Sequence, residues 1–149
     1  MRCRIEFCYF LIIALVTPKI VCAWGYDAHR RINWSAATII PGTFGKYVRS
    51  NRQQLTHYAV VADYIKSSDS KEAPRHYIDA DLYDDFPFDS LSGSLADLEA
   101  KYGKDTVGKW GYVPWAIDET CSRVINMLKN KRWDEAIFYM NTLGHYISD

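Results

Sequence analysis

Apolar residues recur at three- and four-residue steps through most of this chain, with no strand-type alternation of any length between them. That spacing puts them on one face of an α-helix. Over His29 to Ile40 the face is Ile32, Ala36, Ile39 and Ile40, and Pro41-Gly42 stops it. Phe44 to Tyr64 offers Phe44, Tyr47, Val48, Leu55, Tyr58 and Val61, which predicts one or two further helices. The second half is more plainly helical. Val113 to Asn130 sets Val113, Ile117, Cys121, Val124, Ile125 and Leu128 in register, with Pro114 acceptable in the first turn. Trp133 to Ile147 repeats the pattern through Ala136, Ile137, Met140, Gly144 and Ile147. Between these segments Lys66 to Ala73 reads as a polar turn, and Pro74 biases Ala73 away from helix. Arg75 to Asp81 is either an extended piece or a short helical turn, and Asp84 to Gly93 a surface loop. The expectation is an all-α fold, a compact multi-helix domain whose apolar faces need one another, because isolated helices of this length are marginal in water.

One apolar stretch breaks the pattern. Phe7 to Val16 is an unbroken run of ten behind Arg2 and Arg4, and Val21-Cys22-Ala23 supplies small residues after it. This is the layout of a secretory signal cut before Trp24, and the run is too short to span a bilayer comfortably. The expected product is secreted or periplasmic, and residues 24–149 are long enough for one domain with one core. Cys3, Cys8 and Cys22 leave with the signal, so Cys121 remains alone, no intrachain disulfide can form, and Cys121 reads as a small apolar group on a helix. Loss of Arg2, Arg4, Lys19 and Glu6 leaves fifteen basic residues against seventeen acidic, a formal charge of −2. That is no basic nucleic-acid footprint. The sequence reaches Asp149 in the middle of a helical pattern with no stop signal, from which a fragment, incomplete at the C-terminus, is expected.

The chemistry lies in the histidines. Cleavage before Trp24 creates an α-amino group that, with the Trp24 carbonyl and the His29 imidazole, makes a metal chelate. His145 and Asp149 stand at i and i+4, on one helical face. Upstream lie Asp63 and the run Pro74-Arg75-His76-Tyr77-Ile78-Asp79. Imidazole nitrogen with carboxylate oxygen suits zinc, whereas calcium or magnesium would want oxygen throughout. Taken singly, each has a plainer reading: a surface hydrogen bond for the His145/Asp149 pair, a core histidine for His76, a solvated carboxylate for Asp63. His57 lacks a partner motif and reads as an ordinary helix-face histidine.

In order and company these pieces resemble the zinc-dependent phospholipase C and S1/P1 nuclease superfamily. Trp24-Gly25-Tyr26-Asp27-Ala28-His29 is similar to the family's mature start WGxxGH, and Val61 to Lys66 to WADxxR. Arg75 to Asp79 is similar to LHxID, and Leu143 to Asp149 to LxHxxGD. The resemblance implies that Asp63, His76, His145 and Asp149 surround one zinc. It also implies that the Trp24 amine and carbonyl, His29 and a bridging Asp149 hold a second. Asp79 and Lys66 would then fix a ligand or touch substrate phosphate. The family holds up to three zinc ions, and its HxPLH-like continuation with the third set of ligands is not in this sequence. Three exchanges depart from the family pattern. Ala28 stands for Gly, Lys66 for Arg, with loss of the planar fork, and Ser148 for Gly.

The function this implies is zinc-dependent hydrolysis of phosphodiester bonds, with Asp63 orienting the attacking water. The substrate is a phospholipid or a single-stranded nucleic acid, and no protein partner and no stable membrane span are implied. Two other readings stand beside it: a secreted helical domain that binds zinc without turnover because the third set of ligands is missing, and a secreted helical interaction module with scattered histidines. If the zinc reading holds, the ligand atoms should approach one another within roughly 3 to 5 Å even without metal.

Overall fold

The computed structural model describes residues 25–149. The segment expected to be a signal, and Trp24, lie outside the described residues. All regular structure among them is helical, as expected, and no strand is present there. Helix α1 spans Tyr26–Ile39, and Ile40 before Pro41 turns extended, the conformation proline favours in the preceding residue. The region expected to hold one or two helices divides further, into α2 (Gly42–Ser50), α3 (Arg52–His57), a 3-10 turn (Tyr58–Val60) and α4 (Val61–Lys66). Short 3-10 turns follow at Ala73–His76 and Ala80–Leu82. Helices α5 (Leu95–Tyr102) and α6 (Lys104–Trp110) lead into the long hairpin of α7 (Val113–Lys129) and α8 (Trp133–Ser148).

The expected ends of the long helices hold to within a few residues, but the face that α1 buries is not the apolar one. Ile39 is 79% exposed, while His29, Asn33 and Ala37 are buried. These three stand at i, i+4 and i+8 on α1, opposite His145, Asn141 and Ile137 on α8, which follow the same spacing in the reverse direction. Ala37 and Ile137 share a core cluster with Val48 and Leu55. Asn33 donates from Nδ2 to the carbonyls of Asn141 (3.4 Å) and Leu55 (3.3 Å). The His29 and His145 rings stack with centroids 4.0 Å apart. This antiparallel seam runs from an apolar end to a polar end. Gly144 permits it, since a Cβ there would lie 2.2 Å from Asn33 Oδ1.

Helices α5 and α6 were not expected from the apolar pattern. Both are short, and they are held by a separate cluster in which Tyr83, Leu98 and Val107 are buried with Trp110 and Trp115 packed on it. Burying a leucine such as Leu98, 1% exposed, contributes about 1.5–3 kcal/mol. A local signal was available. Ser94 caps α5, its hydroxyl accepting from the Asp97 backbone amide at 3.1 Å, as an N-cap serine does.

A third cluster joins Ala62 of α4, Ala116 of α7 and Tyr146 of α8. The segment carrying His76 is laid across the start of α7 by backbone hydrogen bonds. Tyr112 donates to Pro74 O (2.8 Å), Val113 to Tyr77 O (3.1 Å) and Asp79 to Trp110 O (2.7 Å). Gly111, with φ of +76°, is needed at this junction because a side chain would strike the Tyr77 carbonyl at 2.3 Å.

Candidate metal centre

Four segments distant in sequence converge where the α1–α8 seam reaches its polar end. α4 supplies Asp63, the 3-10 turn at Ala73–His76 supplies His76, and α8 supplies His145 with Asp149 just past its last turn. The fourth segment, α1, supplies His29. His145 Nε2 lies 3.2 Å from His76 Nδ1, 3.4 Å from Asp149 Oδ2 and 3.7 Å from Asp63 Oδ1. His76 Nδ1 lies 2.7 Å from Asp149 Oδ2 and 4.0 Å from Asp63 Oδ1. Four ligands at 2.0–2.2 Å around a tetrahedral ion stand about 3.3 Å apart, and these separations bracket that value. Asp63, His76 and His145 thus form one group able to hold a metal ion, with Asp149 beside it on His76 and His145.

The other oxygen of Asp149 points elsewhere. Oδ1 is 3.5 Å from His29 Nε2, and His29, His145 and Asp149 form a second group able to hold an ion. A carboxylate with one oxygen toward each group has the disposition of a bridging ligand. Trp24, expected to complete the second position, lies outside the described residues.

Hydrogen bonds fix the protonation states. His145 Nδ1 is 2.7 Å from the Ala59 carbonyl, which can only accept, so Nδ1 carries the proton and Nε2 offers its lone pair to the cluster. Burial holds the His145 imidazole below its ordinary value of 6.5 in spite of the nearby Asp149 carboxylate, which keeps it neutral. His29 Nδ1 likewise donates to Ser148 Oγ at 2.7 Å, and that hydroxyl passes its own proton to the Gly144 or His145 carbonyl, each at 2.9 Å. His76 behaves differently. Burial opposes its charging, yet the hydrogen bond to Asp149 raises it above 6.5, so without a cation it holds a proton where a ligand lone pair would be. Burial likewise opposes ionisation of Asp149, and the bond from His76 together with the imidazole of His145 holds its carboxyl below the ordinary carboxylate range. The His76–Asp149 pair thus occupies, with a proton, the place where the geometry fits a metal.

A cavity of about 460 Å³ opens onto the cluster, lined by Gly25, Tyr26, His29, Asp63, Lys66, Ser67, His76, Tyr77 and Asp149. Its size lies within the range of small-ligand pockets. Lys66 Nζ stands 3.8 Å from Asp63 Oδ1 and is 44% exposed, so it reaches both the carboxylate and solvent. Tyr26 and Tyr64, both exposed, pack with ring centroids 5.3 Å apart beside the opening.

Comparison with protein-family models, curated proteins and solved structures finds no match to this chain. What this site can do therefore has to be read from its residues.

The structure brings together His29, Asp63, Lys66, His76, His145 and Asp149. Asp79 stands apart: it is exposed, its backbone amide pairs with Trp110, and it does not line the cavity. His57 is exposed, packed edge-on against Tyr58, and belongs to neither metal-holding group. Cys121 is partly buried on α7 with a free thiol. Three supporting groups escaped sequence reasoning: the Ala59 carbonyl, the Ser148 hydroxyl and Glu72, whose Oε1 lies 3.5 Å from His76 Nε2. A backbone carbonyl leaves no mark in a sequence. Ser148, a residue departing from the pattern of a resembling family at a helix position beside two ligands, was a signal that could have been followed.

Proposed function

We propose that this chain is a secreted or periplasmic zinc-dependent hydrolase of phosphodiester bonds, of the phospholipase C and S1/P1 nuclease type. The observation that carries the reading is the meeting of Asp63 and Asp149 on the paired His76 and His145, each carboxylate within 2.7–4.0 Å of both imidazoles, from segments far apart in the chain. The fit of this mixed nitrogen and oxygen set to zinc supports it, as does the two-sided Asp149. Asp63, His76, His145 and Asp149 would hold one ion, and His29 with Asp149 would contribute to a second. Zinc, when bound, supplies Lewis acidity at phosphoryl oxygens and a source of hydroxide at neutral pH.

The chain's own residues account for the remaining tasks. Lys66, at the cavity wall, sets its ammonium against a non-bridging phosphate oxygen. Asp63 holds its place through Oδ1 and leaves its second oxygen to orient an attacking water. Tyr26 and Tyr77 line the opening and offer flat apolar surface to the substituents on phosphorus.

One observation favours a second reading, zinc binding without turnover. If Asp63, His76, His145 and Asp149 all bound one ion they would be four protein ligands, the closed set of a structural site, whereas catalytic zinc keeps a position open. The test is zinc content by mass spectrometry beside hydrolysis of bis(p-nitrophenyl) phosphate, single-stranded DNA and phosphatidylcholine vesicles. Stoichiometric zinc with turnover that His145→Ala abolishes is the expected result, and the preferred substrate separates nuclease from phospholipase. Zinc without turnover selects the second reading. Absence of zinc from protein purified without chelator overturns both.

A further inference from the structure

A histidine that ligates through one ring nitrogen must carry its proton on the other, and a buried proton needs an acceptor. His145 and His29 meet that need through Ala59 O and Ser148 Oγ. His76 does not. Its Nδ1 faces the cluster, and its buried Nε2 makes no hydrogen bond. The group opposite Nε2 is Glu72 Oε1, four residues upstream and 3.5 Å away, a few tenths of an ångström beyond a hydrogen bond.

Glu72 is itself held firmly. The Tyr146 hydroxyl donates to Oε1, and Arg75 Nε lies 3.8 Å from Oε2. Arg75 Nε also donates to Tyr146 Oη at 2.9 Å, and Nη1 donates to Glu119 Oε2 on α7 at 2.8 Å. The Glu72 side chain is only 13% exposed. A carboxylate placed in the interior, tied to two helices, and aimed at a histidine nitrogen that, among the described residues, is buried without a hydrogen bond has a use beyond packing.

We propose that Glu72 is the positioning residue of His76: it accepts the Nε2 proton that His76 must carry when Nδ1 binds metal, with Tyr146 and Arg75 fixing the carboxylate. The proposal rests on the metal reading of the site. Glu72 does not touch the ion. Its negative charge raises the basicity of the imidazole and its anchoring fixes the ring plane, so that Nδ1 stays directed between His145 Nε2 and Asp63 Oδ1.

The experiment is cobalt titration of the full chain, followed through the visible absorption of Co2+, with Glu72→Ala and Glu72→Gln beside the unsubstituted protein. Loss of an outer partner of this kind weakens metal binding about 10- to 100-fold, expected in full for Ala and at the lower end for Gln, which keeps an acceptor but not the charge. The second readout is the ring proton of His76 in the zinc-loaded protein by nitrogen-15 NMR. It should be protected from exchange and far downfield, displaced in Glu72→Gln, and lost to exchange in Glu72→Ala. A residue that merely supports the fold would lower the melting temperature without moving that proton. If Glu72→Ala does not fold, the near-isosteric Glu72→Gln is judged on the same two readouts. Unchanged cobalt affinity and an unchanged ring proton in a folded variant overturn the proposal while leaving the metal site standing. Failure of the unsubstituted protein to take up cobalt or zinc overturns both.

Discussion

Gly144→Ala tests whether the α1–α8 seam sets the metal geometry. In an unstrained helix interior this exchange stabilises by about 1 kcal/mol. Here the new Cβ would stand 2.2 Å from Asn33 Oδ1 and 2.9 Å from its Cγ, more than about 1 Å inside van der Waals contact. Asn33 cannot simply swing away, because its Nδ2 is tied to Leu55 O and Asn141 O and its side chain is buried. Breaking those bonds costs about 1 kcal/mol each, and parting the helices instead is overpacking of about 1–3 kcal/mol. After the helix-propensity gain is set against these, a net loss of up to about 2 kcal/mol remains, a fall of up to roughly 8 °C in the melting temperature. Parting the helices also carries His29 away from His145, one residue from the substitution and now stacked at 4.0 Å. Metal bonds tolerate only about 0.2 Å, so zinc affinity at the group drawing on both histidines should fall at least about tenfold. The assay is thermal melting by circular dichroism without metal, then zinc competition against a chromophoric chelator. A variant that melts higher and binds zinc as before would refute the seam as the element that positions the site.

Removal of His145, shared by both groups, should abolish stoichiometric zinc, His29→Ala should reduce a two-ion stoichiometry to one, and His57→Ala should change neither; equal loss from His57→Ala, measured by metal analysis after dialysis, would contradict the assignment. Ser148→Ala leaves the His29 Nδ1 proton without its acceptor, an expected loss of about 1–3 kcal/mol in the metal-free fold, readable by urea denaturation; unchanged stability would remove Ser148 from its supporting role. For pH the signs differ between two neighbours. His76 has a folded value above 6.5, so its stabilisation is full below pH 6.5 and is lost as pH rises through that raised value. His145 has a folded value below 6.5, so its contribution is full above pH 6.5 and lost on acidification. Metal-free stability should therefore decline on both sides of near-neutral pH. Zinc, which displaces the His76 Nδ1 proton, should bind more tightly from about pH 6 to 8, with proton release visible by calorimetry in buffers of different ionisation enthalpy. Affinity independent of pH in that window would show that no such proton is displaced.

The helical class, the long α7 and α8 and the identity of the clustered side chains could be read from residue order alone, because a 3.6-residue period and an i, i+4 His/Asp pair are local facts. His145 and Asp149 share a helix face by arithmetic. The buried face of α1 could not be read this way. Its apolar stripe through Ile32, Ala36 and Ile39 is the better hydrophobic surface, yet the helix turns His29 and Asn33 inward because each finds a specific partner on α8 that lies more than 100 residues away. Helices α5 and α6 are too short for a clear period, and apart from the Ser94 cap it is Tyr83 and the tryptophans closing over Leu98 and Val107 that fix them. Asp79 shows the limit from the other side, since three residues after His76 the chain has already turned along Trp110 and away from the cavity. Local periodicity determines which long segments are helical, whereas burial of a polar face is stable only when a distant segment satisfies its hydrogen bonds, and only the tertiary structure decides that.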